Sequence, residues 1–498
     1  MGCEGQMVLT ARRLDRLPGR KGTYRMLKRR KVFSSAALLL AFAMIAAACG
    51  DSGDDEPPET VVVTSIVTET VTETSIVTET VTETVVQENP LAGTSVTVFG
   101  PESSDTEAGA FQAALDLFAA ANDMEISYTG ARDFSDQINV QVAGGNPPDI
   151  GILPQPGKLA DFARNGDLVP LSDDVTALVQ STTPEGLWSL GNVDGVQYGI
   201  PTKADLKSLV WYRPADFTAK GYAVPASWDE LNTLTDTMIA NGDVPWCVGI
   251  DSGGGATGWP FTDWTEDLVL RFHGGDVYDQ WVMGPNNGGI GFSDERIVQV
   301  FDAIGDLWAK PGGTYAAGGT IATTLFGDNA PPLQDGTCMM HRQANFFASF
   351  FPAETVYGPD GVDVFYFPPV SADIQPVLGG GVYPVAFQDR PEVLAVMEYM
   401  ATVDYANARQ RLQKLANGGA ADTVSGFLSP HLDADQSLWT PLEQSFLNIL
   451  AGAELFRFDG SDNMPTPVNA EFWRSATAFV NGDIDAATAT ANIDANWP

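Results

Sequence analysis

The chain has 498 residues, more than one hydrophobic core normally organises, so two or more domains or lobes are expected. The formal net charge is −37; residues 1–48 hold ten Lys/Arg and two Asp/Glu, so the remainder has 17 basic and 62 acidic residues, or −45. A surface this negative repels phosphate backbones and argues against a nucleic-acid partner, and the only histidines, His273, His341 and His431, have no metal-ligand spacing.

Residues 1–48 have the composition of a targeting segment. Residues 1–25 are basic and resemble no domain, and Met26 is a plausible true start. Basic residues 28–31 precede an apolar run at 36–48, which is too short and too alanine-rich for a membrane span and is typical of a secretory signal peptide. Cys49 directly follows small residues, an arrangement that resembles the lipobox of bacterial lipoproteins and implies cleavage before Cys49 and lipidation of its thiol. The alternative is an ordinary signal peptide beside a chance cysteine.

Residues 49–93 are predicted to form a stalk. An acidic, proline-containing linker at 51–59 is followed by a ten-residue repeat that occupies 65–74 and, with the same letters, 75–84. The repeat is rich in Thr and Glu and has no aromatic residue to anchor it in a core, so we expect an extended, self-repelling segment. A small β-structure or an oligomerising zipper is the alternative.

The folded body begins with alternating strands and helices. A β-branched run at Ser95–Gly100 predicts a buried first strand, and helical periodicity follows at 106–122. A second strand is predicted at 126–128, a second helix at Phe134–Ala143 and a third strand starting at Asp149. Alternation of this kind predicts an α/β lobe with a mainly parallel sheet.

Several short motifs occur in the order expected of a known family. They are Ala-Gly-Gly-Asn-Pro-Pro-Asp-Ile at 143–150, Gly-Asp-Leu-Val-Pro-Leu at 166–171, Asp-Gly-Val-Gln-Tyr-Gly-Ile-Pro at 194–201, Leu-Val-Trp-Tyr-Arg at 209–213 and Pro-Ala-Ser-Trp-Asp-Glu-Leu at 225–231. Over about 94–497 the chain resembles the family 1 extracellular solute-binding proteins of ABC importers. The resemblance implies a periplasmic-binding-protein-like fold of type II, in which two α/β lobes are joined by a multi-strand hinge and enclose a ligand cleft.

The same resemblance implies the division of the chain between the lobes. Residues 94–205 and 376–428 are assigned to the first lobe, and residues 206–375 and 429–498 to the second. The second crossing is expected between 367–370 and 378–382, and a last crossing before Trp439.

The middle of the chain is similar to the α-glucoside-binding branch of this family. The matching pieces are 246–250, 256–260 with 262–264, 338–343 and 365–369. The branch implies an α-linked disaccharide or oligosaccharide as ligand and a disulfide between Cys247 and Cys338. Cysteine counting favours the same pair, because Cys3 and Cys49 lie in or beside the targeting segment. Two buried free thiols are the alternative.

The stretch 258–266 carries the strongest candidate contacts. Trp259 and Trp264 offer flat apolar faces for the C–H face of a pyranose, although one of them could be a core residue. Asp263 and Glu266 could accept sugar hydroxyls or merely complement the dipole of a helix start. Arg342 could donate a fork to two hydroxyls or form a salt bridge with an acidic neighbour.

Further candidates come from the hinge and the lobe edges. Asp149, after a Pro-Pro turn, is a structural cap or a ligand acceptor, while Lys203 and Trp211 face the cleft in the resemblance. Gly380 and Gly381 would let the backbone approach the ligand closely. The weaker candidates are Trp473 and Glu102.

These observations favour a receptor over an enzyme. We expect a monomer without a cofactor that binds a neutral sugar on the extracytoplasmic face of the membrane, is held there only by its lipid, and passes the sugar to the permease subunits of an ABC transporter. A glycosidase with Asp263 and Glu266 as its acid pair is disfavoured, because three residues along a helix direct both carboxyl groups to one side. A secreted sugar sensor or adhesin with the same fold is the other alternative.

Overall fold

A computed structural model describes residues 89–370 and 374–498 of the chain. The predicted signal peptide, the lipidated Cys49 and the stalk repeat lie outside these residues. Within the described part, no helix combines the length and the apolar character needed to cross a membrane.

The strands of the described part fall into two sheets and one small hairpin. In chain order they are β1 (Ser95–Gly100), β2 (Glu125–Gly130), β3 (Ile150–Leu153), β4 (Asn192–Val193), β5 (Val196–Gln197), β6 (Lys203–Leu206), β7 (Leu209–Tyr212), β8 (Trp246–Cys247), β9 (Thr314–Tyr315), β10 (Met340–Arg342), β11 (Asp363–Tyr366), β12 (Pro376–Ala386) and β13 (Leu455–Phe458).

Helices cover both sheets. In chain order they are α1 (Asp105–Asn122), α2 (Phe134–Ala143), α3 (Pro156–Asn165), α4 (Asp173–Thr182), α5 (Glu185–Trp188), α6 (Pro214–Lys220), α7 (Trp228–Ala240), α8 (Trp259–Met283), α9 (Glu295–Trp308), α10 (Ala330–Asp335), α11 (Pro391–Met400), α12 (Val403–Ala416), α13 (Pro441–Ala451), α14 (Gly460–Asn463), α15 (Thr466–Val480) and α16 (Ala486–Asp494). The long helix α8 is interrupted at Gly274, where φ is 80°.

The first sheet has the order β13-β12-β3-β1-β2, with β6 also paired to β12. Strands β1, β2 and β3 are parallel, as the strand–helix alternation predicts, and β12 returns antiparallel to β3. Val98 of β1, Ile152 of β3 and Val396 of α11 are buried in one hydrophobic cluster together with Phe111 of α1.

The second sheet has the order β11-β7-β10-β8-β9. Strand β7 runs antiparallel to both β10 and β11, whereas β8 is parallel to β10 and β9. Its core is strongly aromatic and includes Trp246, Phe261, Trp281 and Phe301. Two mixed α/β layers with separate cores follow from this topology, which fits the predicted fold class.

Three chain segments meet where the sheets join. Strand β6 leads into β7 through Lys207 and Ser208, and the backbone N–H of Lys207 donates to Leu378 O of β12 at 2.9 Å. The hydroxyl of Ser208 accepts from Leu378 N at 2.9 Å. Strand β13 joins the same place by pairing with residues 376–379 of β12. The exact lobe boundaries stay predictions.

Candidate functional site

A concave cleft lies between the elements of the two sheets. Its aromatic lining residues are Phe134, Trp259, Phe326, Phe346, Phe350 and Trp473. Its charged lining residues are Glu102, Glu107, Arg132, Lys203, Asp205, Lys207, Asp459 and Asp462. Apolar faces therefore alternate with hydrogen-bonding groups around one concave surface.

The aromatic wall is set by the start of α8. Gly258 precedes the helix with φ 117°, and a Cβ atom at this position would lie 2.3 Å from the carbonyl oxygen of Trp473. Only glycine permits both this backbone conformation and this close approach to α15. The arrangement places Trp259 beside Trp473 at the cleft, with its ring 4.9 Å from that of Phe326 and 6.1 Å from that of Phe346.

Glu102 is neutralised by two cations from distant parts of the chain. Its Oε1 accepts from Lys203 Nζ at 2.9 Å, and its Oε2 accepts from Arg409 at 2.8 Å. Burial alone would raise the pKa of Glu102, but the charges of Lys203 and Arg409 outweigh burial and lower it. Glu102 is therefore ionised, and both of its oxygens already have donors.

Lys207 neutralises the opposite side of the cleft. Its Nζ donates to Asp263 at 2.9 Å and also to Asp459, which directly follows β13. The same nitrogen lies 5.7 Å from the ring centroid of Trp259. Burial would lower the pKa of Lys207, but the two carboxylates raise it well above its usual value, so the amine stays charged.

A buried ionic network lies behind the aromatic wall. Arg342 of β10 donates to Asp267 at 2.8 Å and stands 3.8 Å from Asp263, and Arg271 also pairs with Asp267. Glu266 accepts from the backbone N–H groups that follow Asp459, those of Gly460 at 2.8 Å and Ser461 at 3.1 Å. The predicted contacts Asp263, Glu266 and Arg342 do not line the cleft. Of the two interpretations of Arg342, the structure agrees with a salt bridge to an acidic neighbour, Asp267.

The remaining predicted tryptophans are core residues. Trp264 is 3% exposed, and its ring lies 5.2 Å from that of Trp246 and 5.6 Å from that of Trp308. Trp211 is fully buried, and its Nε1 donates to Gln343 O at 2.9 Å. Burial on all sides leaves neither ring a face for a ligand in this structure.

Asp149 and the hinge glycines occupy three different settings. Asp149 accepts from Thr97 N at 2.8 Å and pairs with Arg390 at 2.7 Å, away from the cleft. Gly381 lines the cleft. Gly380 backs Lys207, because a Cβ at Gly380 would lie 2.8 Å from Lys207 Cε. The structure thus brings together these predicted residues at the cleft: Glu102, Lys203, Trp259, Gly381 and Trp473.

Sequence reasoning missed several lining residues. Asp205 and Lys207 could have been found, because they alternate with Lys203 along an extended segment and alternate residues of a strand share a face. Arg132 had no such pattern. The ring-bearing residues Phe326, Phe346 and Phe350 lie in short 3₁₀ turns, where no apolar period exists to detect.

Cys247 of β8 and Cys338, two residues before β10, are paired as a disulfide with their Cα atoms 5.5 Å apart. The bond ties neighbouring segments of the second sheet. Among the described residues, no group of three or more His, Cys, Asp or Glu is arranged to hold a metal ion.

Two contacts close the rim of the cleft away from the strand crossings. Gly255 N, in the loop before α8, donates to Asp136 Oδ2 of α2 at 2.7 Å. Thr466 Oγ1, at the start of α15, donates to Asp161 Oδ2 of α3 at 2.7 Å. A Cβ at Gly255 would lie 2.7 Å from the Asp136 carboxylate oxygens, so the glycine permits this approach.

Comparison with known proteins supplies the family. Residues 103–406 match the bacterial extracellular solute-binding protein family. The osmoprotective compounds-binding protein GgtB of Synechocystis sp. is 36% identical over 391 residues, which cover 77% of this chain and 88% of that protein. The alpha-glucosides-binding periplasmic protein AglE of Rhizobium meliloti is 35% identical over 424 residues, covering 82% of this chain and 88% of that protein.

Solved structures of solute receptors share the fold. The bacterial solute receptor AcbH, whose preference is for β-D-galactopyranose, has a TM-score of 0.69 at 18% identity, covering 81% of this chain and 98% of its own. The acarbose-binding GacH receptor of Streptomyces glaucescens has a TM-score of 0.60 at 17% identity, covering 81% and 97%. The predicted fold, of type II with two α/β lobes around a cleft, is confirmed. The chain belongs to the bacterial extracellular solute-binding protein family.

Proposed function

We propose that this protein captures an uncharged carbohydrate, an α-glucoside or another oligosaccharide, and delivers it to an ABC importer. The observation that carries the proposal is the pairing of aromatic faces with charges that the protein neutralises internally. Glu102 is held by Lys203 and Arg409, and Lys207 is held by Asp263 and Asp459. A ligand that brings no charge of its own leaves these pairs intact.

The aromatic faces argue against a cationic ligand. Lys203 Nζ lies 5.2 Å from the ring centroid of Phe346, and Lys207 Nζ lies 5.7 Å from that of Trp259. The guanidinium carbon of Arg132 lies 5.8 Å from the ring of Phe326. Four of the six rings that line the cleft therefore already face a cation of the protein, which leaves a quaternary ammonium ligand less cation–π attraction to gain there. Sugar C–H faces can still pack on the ring surfaces that remain.

The names of the relatives support the same ligand class. AglE is named for binding α-glucosides and GgtB for binding osmoprotective compounds, and each aligns with more than three quarters of this chain. We extend the α-glucoside class to this chain.

The glycosidase alternative has no support in the cleft. Asp263 and Glu266, the predicted acid pair, are both fully buried and bonded to Lys207 and to backbone N–H groups. A glycosidase acid must reach the scissile bond from the ligand side. We therefore propose binding without catalysis. A sugar sensor or adhesin remains the second candidate, distinguished by the absence of adjacent permease genes.

We further propose where the protein works. Residues 1–48 direct export, Cys49 carries the lipid, and residues 49–93 hold the folded monomer at the extracytoplasmic face of the membrane. The Cys247–Cys338 pair suits an oxidising compartment.

The test is calorimetric and fluorescence titration of the purified exported chain with trehalose, maltose, sucrose and maltotriose. Saturable binding of at least one of these sugars is expected, without turnover of chromogenic glycosides. Binding of a peptide or a metal ion with no response to any neutral sugar would overturn the proposal.

A further inference from the structure

Three charged side chains alternate along β6 and its continuation. Lys203, Asp205 and Lys207 occupy every second position, and all three line the cleft. Period-two spacing in an extended segment directs side chains to one face. Both lysines are bonded to carboxylates, Lys203 to Glu102 and Lys207 to Asp263 and Asp459. Asp205, in the middle of the row, differs from both.

The carboxylate of Asp205 lacks a donor. The side chain is 9% exposed, and its Oδ1 atom is buried without a hydrogen-bond partner among the described residues. The nearest cation, Lys203 Nζ, is 3.9 Å from Oδ1, which is beyond hydrogen-bond distance. Burial raises the pKa of Asp205, and the charges of Lys203 and Lys207 only moderate this rise. A buried acceptor without a donor is costly, so its retention needs a reason.

The neighbouring strand cannot supply the donor. Gly380 of β12 stands opposite Asp205 in the β6–β12 register, and Gly379 and Gly381 flank it. A Cβ at Gly380 would lie 3.6 Å from Asp205 Cβ and 2.8 Å from Lys207 Cε. Glycine therefore leaves β12 without a side chain beside the carboxylate. The remaining open side of Asp205 is the cleft.

We propose that Asp205 is a ligand-binding residue whose carboxylate accepts hydrogen bonds from hydroxyl groups of the bound carbohydrate. The inference rests on the proposed function and names the group that this end of the cleft recognises. The ligand presents a free O–H donor to the segment where β6 leads into β7. Osmolytes of the quaternary ammonium class, such as glycine betaine, have no O–H donor and do not satisfy this acceptor.

The test compares the wild type with Asp205→Asn and Asp205→Ala by calorimetric titration with trehalose, maltose, sucrose and glycine betaine. For any sugar that binds the wild type, Asp205→Asn should weaken binding by about tenfold to a hundredfold, because the charged acceptor becomes a weaker, neutral amide oxygen. Asp205→Ala, which keeps no acceptor, should lose at least as much. Glycine betaine should bind none of the three proteins.

A matched control removes a carboxylate elsewhere. Asp194 lies in the β4–β5 turn with φ 53° and a side chain that is 73% exposed, a conformation that asparagine tolerates. Asp194→Asn should bind sugar as the wild type does. The thermal midpoint without sugar should not fall in Asp205→Asn, because the substitution removes a buried charge that lacks a donor. A purely structural role would instead lower this midpoint.

The outcomes separate the two claims. A wild type that binds no sugar, or only glycine betaine, overturns the proposed function and with it this inference. A wild type that binds sugar while Asp205→Asn binds equally well, within about twofold, overturns the inference alone. An Asp205→Asn variant that fails to fold or melts much earlier also overturns it, since Asp205 would then serve the fold.

Discussion

The first turn of α8 lines the cleft, whereas the two turns after it pack into the core and the ionic network. Trp259 opens the helix and lines the cleft, whereas Trp264 is 3% exposed among core rings. Successive helical residues are turned by about 100°, so a separation of five places two side chains on nearly opposite faces. Neighbours in sequence are thus divided between ligand and core by helix geometry alone.

The same turns also divide the charges. Asp263, Glu266 and Asp267 face the hinge segments, where they bind Lys207, the N–H groups after Asp459, and Arg342. These groups hold the strand crossings together, while the aromatic first turn meets the ligand. Most residues of this cluster have the types found in sugar sites, yet they stabilise the fold and do not contact the ligand.

Lys207→Met should have the largest effect. It leaves Asp263 and Asp459 buried without their cation, which should lower the free energy of unfolding by about 3–5 kcal/mol. Denaturant unfolding measures the loss. Arg164→Met breaks the exposed pair with Asp194 and should cost at most about 1 kcal/mol. Equal losses in the two variants would mean that the buried network does not hold the hinge.

Alanine at the two tryptophans of α8 should give opposite signatures. Trp264→Ala should lower the free energy of unfolding by about 3–5 kcal/mol, as expected for a large ring in a packed core. Trp259→Ala should weaken sugar binding by about 2–4 kcal/mol, as for a central aromatic anchor, with a smaller change in stability. Denaturant unfolding and sugar titration of both variants measure the two effects. Unchanged sugar affinity in Trp259→Ala would show that Trp259 does not contact the ligand.

The buried charges also predict a pH dependence. Burial raises the pKa of Asp263 to about 7; Asp459 adds to this, while Lys207 and Arg342 oppose it. From about pH 4 to pH 7 the folded protein therefore holds a proton that the unfolded chain has lost, so Asp263 makes stability fall as pH rises.

Asp263→Asn should abolish this contribution. The difference in unfolding free energy between wild type and variant should change by on the order of 2 kcal/mol between pH 4.5 and pH 7.5, with the wild type losing relative stability at the higher pH. Chemical unfolding at several pH values provides the measurement. A constant difference would show that Asp263 is ionised throughout.

The smallest effect should come from the rim contact before α8. Asp136→Ala removes the acceptor of Gly255 N and should weaken the contact between α2 and the loop before α8 by about 1 kcal/mol, so sugar should dissociate a few times faster. Stopped-flow release of bound sugar measures the change. Asp174→Ala, at an exposed site in the first turn of α4, serves as the control. If Asp136→Ala and the wild type release sugar at the same rate, the contact before α8 does not help to retain the ligand.

The fold was largely predictable because its information is local. The strand–helix alternation from Ser95–Gly100 to Ile150–Leu153 follows from apolar periodicity and glycine stops, and each element has the expected type. The start of α8 was not located correctly, because Thr262 and Asp263 are ordinary capping residues, whereas the helix begins at Trp259 after Gly258.

The site was less predictable because its contacts are distant in sequence. Arg409 reaches Glu102 across 307 residues, and no local pattern indicates that pairing. Asp263 and Glu266 have the residue types of ligand contacts, but which side of α8 faces the ligand depends on where β13 and β10 pack. The alternation of Lys203, Asp205 and Lys207 was the one local pattern that could have identified more of the cleft.

The disulfide closes a covalent ring that contains two of the six aromatic residues lining the cleft. Cys247 and Cys338 are separated by 91 positions, and both Trp259 and Phe326 lie between them. In the chain-entropy model, closing a loop of this length lowers the entropy of the unfolded chain and so raises the free energy of unfolding by about 4–5 kcal/mol. In a reducing compartment the disulfide would not persist, and the protein would lose that contribution to its stability. The Cys247–Cys338 bond therefore ties the stability of the segment that carries Trp259 and Phe326 to the redox state of the protein's surroundings.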